Sequence, residues 1–140
     1  MYTHGLILPV LALVAWTFVM WMWMYATRIP AIQRMNIDPQ DVVRRGAKLD
    51  LPPEIARVAD NYNHLHEQPT LFYAVALAAQ VAGVTDATNI SLAWAYVALR
   101  VVHSFIQATK NIVMIRFTVF TIGSFVLLAL LIRTLMGLPG

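Results

Sequence analysis

Arg57, Asp60, His64 and Glu67 follow one another at spacings of 3, 4 and 3, and Arg100, His103, Gln107 and Lys110 repeat the pattern. On a helix that spacing puts each set on one face. Two matched stripes of ionisable and hydrogen-bonding groups result, and their surroundings make them conspicuous. An uncharged run from Gln68 to Thr85 follows Glu67, and another from Ala87 to Leu99 leads into Arg100. Ionisable groups within apolar helices are costly and mark functional sites by default. Arg100 and Arg116, with Arg28 and Lys110 near the rim, outnumber Glu67, and a surplus of cation suits an anionic ligand. Two plainer readings stay open. Glu67 and Arg100 can neutralise each other as a buried structural pair, and the rim cations can simply snorkel to phosphates.

Other chemistries fit less well. His64 and His66 are two apart and point away from each other, and no HxxxH or ExxH pair shares a face, so no metal site is expected. His103 is the better ligand contact because it shares the stripe of Arg100. The chain has no cysteine, which excludes disulfides, thiolate metal sites and a cysteine nucleophile. Any thiol chemistry must use a sulfur that the substrate brings. Pro69, two residues after Glu67, removes a helix hydrogen bond and frees the carbonyl of Leu65, as a tolerated kink or as part of a site.

The elements that carry these residues are transmembrane. Of 140 residues, 59% are hydrophobic and only 12% charged, whereas soluble chains average about 25% charged. At roughly 20 residues per span, the length allows four spans and one real loop, with no room for a separate soluble domain. Spans are expected at about 6–27, 54–84, 89–109 and 112–134, with a polar cytoplasmic loop over 28–53, all in a single domain over 1–140. The first lacks a basic leader and a small-residue cleavage site, so it reads as a retained span bearing an aromatic belt at Trp21, Trp23 and Tyr25. In the loop, Asp38-Pro39-Gln40-Asp41 reads as N-cap, N1 proline and acidic N3, with Gly46 as a stop, predicting one short surface helix. A second start signal stands at Asp50-Leu51-Pro52-Pro53-Glu54, from which the second helix begins outside the hydrocarbon and continues into it. The third has only 13 uncharged residues, Ala87 to Leu99, before Arg100, so it spans only if it holds Arg100 and His103 inside.

Charge sorts the loops. Six of the ten cations fall between Arg28 and Arg57, and the turn from Gly83 to Asn89 has none. By the positive-inside rule both termini then face away from the cytoplasm, and both stripes, with Arg28 and Arg116, lie in the cytoplasmic half. Topology explains the net charge of +3 without a nucleic-acid partner.

The sequence resembles the MAPEG family, the membrane-associated proteins of eicosanoid and glutathione metabolism, in its small bacterial branch. The resemblance spans nearly the whole chain and rests on "ADNYNHLHEQPTLFYAVAL", with Glu67, Pro69 and Phe72-Tyr73, and on "LRVVHSFIQATKNIVMIRF", with Arg100-x-x-His103 followed by Arg116. It implies an all-α integral membrane four-helix bundle, assembled as a homotrimer in the bacterial inner membrane, with sites between subunits open to the cytoplasm. It also implies glutathione as co-substrate, its thiol activated toward hydrophobic small molecules. Glu67 matches the glutamate at glutathione's amino end, Arg100 and His103 the third-helix arginine and its polar neighbour, and Arg28 a first-helix arginine on the ligand. Arg116 matches the catalytic fourth-helix arginine held to stabilise the thiolate, whose free pKa is near about 8.5 in a cysteine.

Departures accompany the match. His64 replaces an asparagine, with Asn63 one place off; a basic residue before it is absent; Gln107 replaces a tyrosine; and Phe117 follows Arg116. Asn63, His64 and Gln107 are retained as ligand-binding candidates. Two functions are therefore carried forward: a glutathione transferase or peroxidase acting on hydrophobic electrophiles, and a non-catalytic membrane scaffold, lipid-binding unit or accessory subunit of a larger membrane complex. Ion passage is a minor third, disfavoured for cations by the arginines.

Overall fold

The computed structural model describes residues 4–46 and 51–139, and among them every regular element is helical. The start signal at Asp50 lies outside the described residues. Helix α1 covers Ile7–Arg34, α2 Pro39–Arg44, α3 Pro53–His64, α4 Gln68–Val81, α5 Ala87–Ala108 and α6 Val113–Gly137.

Three of these, α1, α5 and α6, are long and apolar enough to cross a membrane. Their outward faces carry large apolar side chains such as Phe18, Met22, Phe105, Phe117 and Phe125, as lipid contact requires. α1 runs past the expected end at residue 27 and places Arg28 inside the helix. Nothing after Arg28 stops it: Ile29, Ala31 and Ile32 are compatible with helix, Pro30 removes only the bond to the carbonyl of Ala26, and the turn comes at Asn36 with φ 52°. At about 1.5 Å per residue α1 measures about 42 Å, longer than a hydrocarbon core of about 30 Å, which a helix accommodates by tilting or by extending past the apolar layer.

The short surface helix forms as its sequence dictates. The Asp38 side chain accepts from the Gln40 amide at 3.0 Å, Pro39 takes N1, and Gly46 sits at φ +66° beyond the last turn.

The second helix departs from expectation. A continuous helix over 54–84 is replaced by α3 and α4, separated at Leu65–Glu67. Pro69 has no amide hydrogen for the Leu65 carbonyl and would collide with it. The chain therefore ends one helix at His64 and begins another with the proline in its first turn, where no donor is needed. The Thr70 hydroxyl donates to the Glu67 carbonyl at 2.6 Å and secures the new start. α4 has 14 residues, about 21 Å of helix.

Polar ties fix how the helices run. Leu6 N donates to Gln80 Oε1 at 2.8 Å, joining the start of α1 to the end of α4. Arg133 Nη2 meets Asp86 Oδ2 at 2.7 Å, joining the end of α6 to the start of α5. Arg57 Nη1 donates to the Thr109 carbonyl at 2.6 Å, joining the start of α3 to the end of α5 at the opposite pole. α1 packs on α3, α4 and α5, and α6 on α4 and α5. The core between them includes Leu13, Met20, Val58, Leu65, Phe72, Tyr96 and Leu130, with the rings of Phe72 and Tyr96 stacked at 4.7 Å.

Candidate functional site

The break between α3 and α4 forms one wall of a cavity of about 230 Å³. His64 and Glu67 line it from the break, His103 from α5, and Val113, Arg116, Phe117 and Phe120 from the first two turns of α6. Non-helical backbone in a membrane protein is tolerated where it borders a cavity or is covered by protein; Glu67 borders this cavity and Leu65 is buried.

Each polar group is held separately. Glu67 Oε2 lies 3.3 Å from His64 Nδ1, with both side chains partly exposed. The rings of His64 and His103 are 6.4 Å apart, and that of His103 is 6.2 Å from Phe120. Arg116 Nη1 donates to Asn111 Oδ1 at 2.7 Å. Asn111 itself turns the chain between α5 and α6 at φ 50°, so the turn anchors the arginine. That bond uses one of five guanidinium hydrogens and leaves the others for the cavity. An anion placed here meets the Arg116 guanidinium and two imidazoles on one side and the Glu67 carboxylate on another, and an apolar group attached to it meets Phe117 and Phe120.

The cavity brings together four of the expected residues, His64, Glu67, His103 and Arg116. The others lie elsewhere. Arg28 is half-buried on α1 and Asn63 is exposed on α3, and neither lines this cavity. Arg100 and Gln107 are sealed in the interior at 3% and 2% exposure. The pairing of Glu67 with Arg100 does not form: among the described residues Glu67 is within ion-pair distance of His64 alone. The reason is the break, which carries Glu67 out of the helical stripe to the residue preceding α4.

Several residues of this region escaped the sequence reading. Gln68 accepts from Tyr96 Oη at 3.1 Å and donates to Ser124 Oγ at 2.7 Å, linking α4 to α5 and α6 directly behind Glu67. Asn111 gave a signal, a turn-forming residue five before Arg116. Phe120 gave none, because an aromatic on a lipid-exposed helix reads as lipid contact. A second cavity, of about 190 Å³, lies between α1 and the break, lined by Thr17, Phe18, Trp21, Tyr62, His66 and Tyr73 among others. It contains none of the expected residues.

The MAPEG family model matches residues 6–136. No curated protein and no solved structure matches the chain. A match from the first turn of α1 to the last of α6 takes in the break, the α5 stripe and Arg116 alike, and the chain belongs to the MAPEG family.

Proposed function

We propose that the protein is a glutathione-dependent transferase or peroxidase for hydrophobic electrophiles, a four-span bundle working as a homotrimer with both termini away from the cytoplasm. The observation that carries this reading is the convergence of Glu67, His64, His103 and Arg116 on one cavity beside an aromatic wall. α3 and α4 in series make the fourth crossing. The Glu67 carboxylate suits the ammonium end of glutathione, and the Arg116 guanidinium, with the imidazoles as further donors, suits its anionic groups. Arg116 is the group that stabilises the thiolate, and Phe117 and Phe120 receive the apolar part of the electrophile.

The chemistry closes without a metal. In conjugation, sulfur forms a bond to the electrophilic carbon and the halide leaves with the bonding pair. In peroxide reduction, the O–O bond breaks, two glutathiones become one disulfide, and alcohol and water are released. Arg28, which does not reach the cavity of its own chain, would serve a neighbouring copy in the trimer.

Purified protein in detergent is expected to show thiolate absorbance on adding glutathione and to conjugate an aryl halide. Arg116→Ala should lower kcat by about 10²–10³-fold, the usual loss for one preorganised donor at a developing charge, with the oligomer unchanged by sedimentation. Wild-type protein that gives neither thiolate nor turnover overturns the proposal and leaves the non-catalytic reading.

A further inference from the structure

Behind the cavity lies a second polar group, of which only His103 also lines the cavity. Asn61, Arg100, His103 and Gln107 are each at most 4% exposed. Six of their atoms, Asn61 Oδ1 and Nδ2, Arg100 Nε and Nη2, His103 Nδ1 and Gln107 Oε1, have no hydrogen-bond partner among the described residues. Buried polar groups are nearly always bonded, and inside a bilayer bulk water cannot serve them.

The four residues lie on two helices in contact, α3 and α5. Arg100, His103 and Gln107 share one face of α5, separated by about 4.5 Å and about 6 Å along the axis. Asn61 stands on α3 three residues before His64, whose ring is near that of His103. It therefore lies about one turn from the two histidines, on the side toward Gln107. One further turn leads to a wide cavity of about 510 Å³ lined by Arg57, Asp60, Lys110 and Asn111 among others. Arg57 clasps α3 to α5 there through the Thr109 carbonyl.

The donor and acceptor types select the occupant. Arg100 only donates, Gln107 Oε1 only accepts, Asn61 offers one of each, and a neutral imidazole nitrogen does either. An inorganic anion would satisfy Arg100 and leave Gln107 Oε1 and Asn61 Oδ1 unmet. Water, with two hydrogens and two lone pairs, satisfies all six. The backbones at Arg100 and Gln107 are also about 10 Å apart along the helix axis, a span that a chain of small molecules covers readily.

We propose that Asn61, Arg100, His103 and Gln107 hold a file of internal waters that opens at the Asp60 mouth and carries away the proton a thiol loses on ionising in the cavity. The file stands on the six atoms; the source of the proton rests on the glutathione reading. His103 joins the two compartments, since it lines the cavity while its Nδ1 is sealed in the stripe. The S–H bond breaks and its proton moves to His103 Nε2 in the same step in which the ring gives up its Nδ1 proton, so no second cation forms beside Arg116. The Nδ1 proton of the same ring passes to the adjoining water, and successive transfers deliver one proton to the Asp60 carboxylate or to bulk solvent. No electron changes hands. Arg100 at the closed end repels the excess proton toward the mouth, where solvent screens Arg57 and Lys110.

A structure of the whole protein that resolves solvent is expected to show about two ordered waters or more bridging these four side chains. Direct pairing of the six atoms with one another, or a dry stripe, overturns the file. For the proton, stopped-flow mixing with glutathione in weak buffer follows thiolate absorbance and a pH dye together. Asn61→Leu should slow proton release about tenfold while the final thiolate level and the melting temperature stay near wild type, and Asn61→Ser, which can still hold a water, should restore most of the rate. Unchanged release in Asn61→Leu overturns the proton role. A wild type that forms no thiolate overturns that role together with the glutathione reading, and the water density still decides the file.

Discussion

Arg100 shows how far a single residue can be read from its letter and neighbours. An arginine after 13 uncharged residues announces itself as a costly intramembrane charge, and the structure places it in the interior at 3% exposure. Its partner was not legible. A spacing rule assigns Glu67 to a facing stripe, but Glu67 belongs to the break and lies against His64. If Arg100 has no carboxylate to neutralise, replacing it with an apolar side chain of similar length removes a buried charge without stranding another. Arg100→Met is therefore expected to hold or raise the melting temperature in detergent, as apolar replacements of buried ions often do. A drop of about 5 °C or more, matched and not added to by Glu67→Gln, would instead reveal an Arg100–Glu67 pair. His103 and Arg116 were legible for a simpler reason: both lie near the ends of long, uninterrupted helices, where residue spacing converts directly into position.

At the scale of elements, hydropathy and capping read most of the chain. α1, α5 and α6 follow from their apolar runs, and α2 from Asp38, Pro39 and Gly46. The division of α3 from α4 was missed because a hydropathy profile registers polarity and not hydrogen bonding. Pro69 was visible, yet whether a proline kinks a helix or starts one depends on what receives the freed groups. Here the answer is tertiary: Gln68 is gripped between Tyr96 of α5 and Ser124 of α6, which holds the start of α4 and sets Glu67 at the cavity. Gln68→Leu should accordingly cost about 1–3 kcal/mol, the penalty for leaving the largely buried Tyr96 hydroxyl unmet, measured by denaturant unfolding in mixed micelles. The double variant Gln68→Leu with Tyr96→Phe should lose less than the two single losses added, because the stranded hydroxyl is then absent. Strict additivity would mean that the Tyr96–Gln68 bond contributes nothing and that some other contact fixes the break.

For the whole molecule the decisive question is how many times the chain crosses, since α4 alone is too short and, among the described residues, three helices meet the length for a span. The ties between helix ends answer it in terms of poles. Leu6 with Gln80, and Asp86 with Arg133, gather at one pole; Arg57 with Thr109 marks the other. α3 and α4 together thus run from the second pole to the first, antiparallel to α1, the direction that the proposed four-span topology requires of its second crossing. Cations divide the same way. Arg28, Arg34, Arg44 and Arg45 follow the far half of α1, whereas Arg133 at the first pole is occupied by Asp86 and Asn89. Because the chain contains no cysteine, single substitutions report on sidedness without background. Val43→Cys on exposed α2 and Thr88→Cys on the exposed first turn of α5 are expected to react with a membrane-impermeant maleimide from opposite faces, Thr88→Cys in intact cells and Val43→Cys only after permeabilisation. If α3 and α4 lay along one surface and the chain crossed three times, both positions would label from the same face. That result would separate the termini across the bilayer, part Arg57 from Thr109 and Leu6 from Gln80, and overturn the four-span proposal.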